Sequence, residues 1–248
     1  MKQISSILLV FVIIAFCVPA KKKIKILMAG DSTMAIKQPR AFPETGWGMP
    51  FVYFWDSSIT VIDKAKNGAS TKTFISDGLW ESIMQNAEAG DYIFIQFGHN
   101  DEVATKKSFT TENEFSTNLI KFISDSRSKN AIPVLLTPVA RRKFDSAGQI
   151  EGTHEAYSQL VRNVAAEQKV LLIDLDKKSQ ALYQQLGREG SQLLFMHLQK
   201  GEHPNYPDGK QDDTHFSELG ARLVAELVLH EIEENIHELA QRIVSRKS

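Results

Sequence analysis

Cysteine is almost missing from this sequence: one, Cys17, stands in 248 residues. It falls within the first twenty, so the rest of the chain has no disulfide, thiol nucleophile or cysteine-held metal. An excess of one charge is missing too. Lys and Arg number 29 against 30 Asp and Glu, a formal net charge of −1, which gives no electrostatic pull toward nucleic acid or an anionic membrane surface. After residue 21 no internal repeat, low-complexity tract or Pro/Gly linker divides the chain. One domain over residues 21–248 is expected, stabilised by its core alone.

The first twenty residues differ from the rest. Lys2, the apolar run "ISSILLVFVIIAF" and Val18-Pro19-Ala20 before Lys21 have the layout of a signal peptide over residues 1–20. A retained membrane anchor is the alternative reading, but the run is short for a bilayer span and Val-x-Ala suits cleavage. Phe16 is bulkier than a lipoprotein signal uses before its cysteine. The expectation is an exported protein, periplasmic or extracellular, with no stable membrane insertion after cleavage.

Five short β-rich runs follow: "KIKILMAG", "ITVIDKA", "DYIFIQFG", "IPVLLTPV" and "KVLLIDL". Each is apolar nearly throughout, as in parallel strands covered on both faces. Between and after them lie helix-period stretches: "TFISDGLWESIMQNA", "TENEFSTNLIKFISDSRSK", "THEAYSQLVRNVAAEQK" and "FSELGARLVAELVLHEIEENI". The alternation predicts a doubly wound α/β fold with right-handed crossovers. The least regular part, "MHLQKGEHPNYPDGKQDD" from Met196 to Asp213, reads as a long loop, and such loops are often functional.

Ligands of open α/β sheets bind beyond the carboxyl ends of the strands. Those ends carry Gly30-Asp31-Ser32-Thr33, Asn67-Gly68-Ala69-Ser70, Gly98-His99-Asn100-Asp101 and Arg141-Arg142-Lys143, and Asp212-Asp213-Thr214-His215 stands before the last helix. Taken singly each is ordinary: a turn, a polar loop, a helix cap, a solvated charge run. Together they supply the parts of acyl transfer. A serine hydroxyl needs a base, His titrates in the useful range, a carboxylate can orient that His, and amide donors can receive an oxyanion. Asp212 and His215 are close enough in sequence for a turn or a helix start to join them. No Gly-x-Ser-x-Gly elbow is present, which argues against the usual α/β-hydrolase layout.

In order and spacing, Gly30-Asp31-Ser32, Asn67-Gly68, Gly98-His99-Asn100-Asp101 and Asp212-x-x-His215 resemble the four blocks of the SGNH (GDSL-type) hydrolases. The GDST, GHND and DDTHF wording, with "TGWG" at Thr45 to Gly48, is most similar to rhamnogalacturonan acetylesterases within that superfamily. The resemblance implies a three-layer α/β/α, flavodoxin-like fold with a five-stranded parallel sheet and an open, groove-like site. It implies Ser32 as nucleophile, His215 as base and Asp212 rather than Asp213 as its orienting carboxylate. The Ser32 and Gly68 amides and the Asn100 side chain would form the oxyanion hole. The implied activity is removal of acetyl groups from an acetylated polysaccharide, without metal or cofactor. An acetyl-xylan or general carboxylester hydrolase and an inactive carbohydrate-binding protein are the competing readings.

Three further residues are weaker candidates for substrate binding. Arg141 and Arg142 can meet carboxylates of an acidic polymer, against the alternative of a solvated charge run. Trp47 could stack on a sugar, although packing is its ordinary role. His99 is expected to structure its loop, and Asp31 and Asp101 to brace theirs. His197 and His203 match no standard metal spacing. A monomer is the expectation.

Overall fold

Alternation explains why the strand runs look apolar from end to end. In the computed structural model, which describes residues 21–244, they become β1 (Ile24–Gly30), β2 (Ile59–Asp63), β3 (Tyr92–Gln96), β4 (Ile132–Leu136) and β5 (Leu171–Ile173). Ile24, Ile26 and Met28 of β1 enter one core with Tyr92, Phe94, Val134 and Leu136. Leu27 and Ala29 enter the other with Ile93, Ile95 and Leu135. A strand that buries both faces has no polar side to show. The signal-peptide reading of residues 1–20 lies outside the described residues.

The strands form one parallel sheet in the order β2-β1-β3-β4-β5. β1 pairs with β2 through Ile26 and Val61 and with β3 through Met28 and Phe94. The chain therefore winds outward in both directions from β1, and the crevice between the ends of β1 and β3 is the topological switch point.

Helices cover both faces. On one lie α2 (Thr71–Ser76), α3 (Leu79–Asn86), α4 (Glu112–Ser128) and α5 (Glu155–Gln168), which add Phe74, Trp80, Phe122 and Val161 to their core. On the other lie α1 (Gly48–Phe51), α6 (Leu175–Gly190), α7 (Glu218–Asn235) and α8 (His237–Ala240), with Phe51, Tyr183, Val228 and Leu239 inside. Capping explains several starts. Thr111 and Glu114 form a reciprocal capping box at α4, and Ser217 accepts from the Gly220 amide at α7. Among the described residues no helix is long and apolar enough to cross a membrane.

The structure corrects three expectations. The stretch "TFISDGLWESIMQNA" is two helices, because Gly78 turns left-handed at φ 73° between α2 and α3. The run "KVLLIDL" is strand only to Ile173; Asp174 caps α6, a helix not expected from the sequence. Finally, the segment from Met196 to Asp213 is not a loop throughout. It contributes to an antiparallel pair, β6 (Phe195–Leu198) with β7 (Lys210–Phe216), outside the main sheet. Its connecting turn is pinned down: Asn205 donates to the Pro39 and Phe42 carbonyls, and the Tyr206 hydroxyl to that of Ala41.

Candidate active site

Ser32 stands in the turn after β1, at the switch point. The turn is fixed from below. Asp31 Oδ1 accepts from the Thr33 amide at 2.9 Å and hydroxyl at 2.8 Å, and Oδ2 meets His99 Nδ1 at 3.2 Å. Burial opposes ionisation of Asp31, but the charge and hydrogen bond of His99 and the Thr33 donors outweigh it and hold its pKa at about 2. Gln96, the last residue of β3, donates to Thr33 Oγ1 and accepts from Trp47 Nε1 at 2.7 Å. Trp47 is therefore a brace. It is fully buried with its N–H engaged, so it cannot stack on a sugar, and the substrate-binding reading of Trp47 is withdrawn.

The β7 strand brings the partners. His215 Nε2 lies 3.0 Å from Ser32 Oγ, and His215 Nδ1 lies 2.9 Å from Asp212 Oδ2. Asp212 Oδ1 accepts from the backbone amides of Thr214 and His215 at 2.8 and 3.0 Å. The Asp212 carboxylate turns its own strand into a clamp for the imidazole. Burial raises its pKa, but the His215 hydrogen bond and those amides override this and keep it well below the usual carboxylate range. An ionised Asp212 accepts from Nδ1–H, which leaves Nε2 as the acceptor facing the serine hydroxyl. A local turn joins these residues, as a bulge within β7: Met196 pairs with Asp212 and Phe195 with Phe216, so residues 213–215 stand out of the ladder. Asp213 faces elsewhere, to Arg142 at 2.8 Å and His197 at 2.7 Å.

Two more loops complete the rim. Asn100 donates from Nδ2 to the Ala69 carbonyl at 3.0 Å, and its Oδ1 accepts from Lys106 at 3.2 Å. The carboxamide is thus held in one orientation, with its second N–H uncommitted. Gly68, next to Ala69, is exposed and at φ 76°, and nothing lies within 4 Å of where a Cβ would be. Its left-handed backbone is open to whatever occupies the site.

The two arginines separate. Arg141 reaches Thr214 Oγ1 at 2.6 Å and Glu102 at 3.8 Å, with a third of its side chain exposed beside the His215 strand. Arg142 turns inward. It bonds Ser191, Asp213 and the Arg188 carbonyl and lies over the Phe144 ring, anchoring β7 rather than meeting solvent, so the substrate-binding reading of Arg142 is also withdrawn. His99 packs on His154, ring centroids 4.2 Å apart, and His154 meets Glu102 at 2.8 Å. Burial, then the neighbouring His99, lowers the His154 pKa to about 4. Among the described residues no group of three or more His, Cys, Asp or Glu side chains could hold a metal ion.

Lys37, Glu44 and Lys210 were not singled out by sequence. They form a chain of ion pairs that ends on Asp212, and Lys37 also holds the Ser32 carbonyl. The available signal was the position of Glu44, immediately before the Thr45-Gly46-Trp47-Gly48 block.

Residues 28–223 match the model of the GDSL-like Lipase/Acylhydrolase family. The chain belongs to that family. It is 42% identical over 228 residues to rhamnogalacturonan acetylesterase RhgT of Bacillus subtilis (strain 168), covering 92% of this chain and 97% of that one. It is 33% identical to the probable rhamnogalacturonan acetylesterase YesY of the same organism, covering 90% and 98%. The crystal structure of B. subtilis YxiM superposes with a TM-score of 0.74 at 28% identity, over 86% of this chain. The chain spans 57% of the length of that structure.

Proposed function

We propose that the protein is a serine esterase that removes acetyl groups from a pectic polysaccharide, rhamnogalacturonan, through an acyl-enzyme intermediate. The observation that carries this is the line Ser32–His215–Asp212, linked at 3.0 and 2.9 Å across the switch point of the sheet. Ser32 Oγ attacks the acetyl carbonyl carbon as His215 Nε2 takes its proton, and Asp212 stabilises the imidazolium. The Ser32 and Gly68 amides and the free N–H of Asn100 receive the developing oxyanion, each such donor being worth about 2.7–4 kcal/mol in related chemistry. The intermediate then collapses, the bond from the acetyl carbon to the sugar oxygen breaks, and His215 gives its proton to that oxygen, which leaves as the sugar hydroxyl. A water enters in its place, gives its proton to His215, attacks the acetyl-serine carbonyl and releases acetate, restoring Ser32.

The identity to RhgT and YesY, both named for rhamnogalacturonan, supports the substrate class. The exposed part of Arg141 beside His215 suits a polymer bearing carboxylates. Residues 1–20, with Val-x-Ala at their end, support export to where such a polymer is met. Acetate release measured on a panel of acetylated polysaccharides tests the substrate. The highest kcat/KM is expected on acetylated rhamnogalacturonan. A preference for acetylated xylan would contradict the assignment while leaving an esterase.

A further inference from the structure

A lysine is the least expected residue to find wholly inside a protein, yet the Lys37 side chain has no exposed surface. Its ammonium has three protons and three acceptors: the Ser32 carbonyl oxygen at 2.5 Å, Asn67 Oδ1 at 2.8 Å and Glu44 Oε1 at 2.8 Å. The first belongs to the proposed nucleophile and the second to the residue before Gly68. The third opens a route to the triad carboxylate. Glu44 Oε2 meets Lys210 Nζ at 3.4 Å, and Lys210 Nζ meets Asp212 Oδ2 at 3.3 Å, the same oxygen that faces His215. The circuit closes at Ser32 Oγ.

Buried ion pairs are poor sources of stability, because desolvation offsets their attraction and apolar replacements serve as well. What this pair gains is geometry, since every proton of Lys37 goes to a separate loop of the site. We propose that Lys37 is a positioning residue of the esterase reaction. It ties the Ser32 turn to the Asn67–Gly68 loop and, through Glu44 and Lys210, to Asp212, so that nucleophile, oxyanion amide and base keep one alignment. The inference rests on the catalytic reading of Ser32, His215 and Asp212.

Other charges face this circuit. Asp31 and Asp63 act on Lys37, His215 acts on Glu44, and Lys210 lies 5.2 Å from the Tyr206 ring centroid. With Lys37 removed, Glu44 keeps Lys210 as a cationic partner.

The test uses the whole chain with Lys37→Met and with Lys37→Met/Glu44→Gln, assayed on a small acetyl ester. Lys37→Met is expected to lower kcat about 100-fold, the usual cost of misalignment near 1 Å, with KM little changed. The double variant buries no unpaired charge, so its Tm recovers while kcat and the kcat-against-KM split stay those of the single variant. Should the single variant not fold, the double variant still gives the kcat readout. A kcat that recovers together with Tm, a kcat within threefold of wild type in either variant, or failure of both to fold would make Lys37 structural and overturn the proposal. Ser32→Ala is the control. If it keeps hydrolysis, the catalytic reading fails; if it is inactive and the Lys37 variants are not slowed, only the positioning role fails.

Discussion

Asp31 and Asp101 are both buried carboxylates that brace loops of the site, and their surroundings send them in opposite directions. Asp31 has His99 beside it and stays ionised, with a pKa held at about 2. Asp101 Oδ1 accepts from the Thr71 amide, the Thr71 hydroxyl and the Thr110 hydroxyl, but its Oδ2 is buried without a partner. Burial outweighs those donors, Asp31 adds repulsion, and the Asp101 pKa rises to about 7 from 3.8. A carboxyl whose folded pKa lies above its unfolded one contributes stability at low pH that fades as pH rises through the folded value. The contribution of Asp101 therefore declines between pH 3.8 and about 7. Asp101→Asn keeps the acceptor oxygen and cannot ionise. It is expected to be more stable than wild type at pH 8, by up to about 4 kcal/mol at about 1.4 kcal/mol per pKa unit, and to lose that advantage below pH 4. Denaturant melts at both pH values check this, and a variant less stable than wild type at pH 8 would refute it.

At the scale of elements, the segment around Gly46 supports the Ser32 turn. Its backbone runs directly against the turn: the Trp47 amide donates to the Thr33 carbonyl at 2.9 Å and the Gly48 amide to that of Met34 at 3.0 Å. A Cβ on residue 46 would sit 2.1 Å from the Ala35 carbonyl oxygen, and backbone cannot swing aside as a side chain can. Gly46→Ala is expected to cost about 1–3 kcal/mol, the range for overpacking, and to reduce kcat more than tenfold by displacing the turn. Thermal melts with kinetics on a small ester measure both. Unchanged values would show that the segment is not a support. The same segment shows the limit of what sequence made legible. The strand ends and the loops carrying Ser32, Gly68 and Asn100 were readable, because apolar strands announce themselves and their polar ends share one rim, whereas the choice of Asp212 over Asp213 beside His215 came from the family resemblance. The β6–β7 pair was not, since β7 reads "KQDDTHF" and carries the polar residues of the site where a strand usually shows alternation. Trp47 and Arg142 were misread for a related reason: sequence gives a side chain's chemistry but not the direction it points. Lys37 reads as an ordinary surface charge until its three acceptors are seen together.

For the molecule as a whole, the strand order explains why one rim collects the chemistry. Because winding reverses at β1, the turns after β1 and β3 diverge to opposite faces and leave a crevice, which Ser32 and Asn100 enter from its two sides. The hairpin of β6 and β7, held by Arg142 from within and by Asn205 and Tyr206 from its turn, carries Asp212 and His215 over that crevice. A core on each face of the sheet fixes its strands, and the ion-pair circuit through Lys37 joins the loops at their carboxyl ends. The proposed chemistry requires Ser32 to carry the acetyl group. Acetate release from acetylated rhamnogalacturonan, wild type beside Ser32→Ala, tests it most directly. The variant is expected to fold with wild-type secondary structure and to lose activity by about 10³-fold or more, as removal of a triad member does. Acetate release by Ser32→Ala within tenfold of wild type would contradict it.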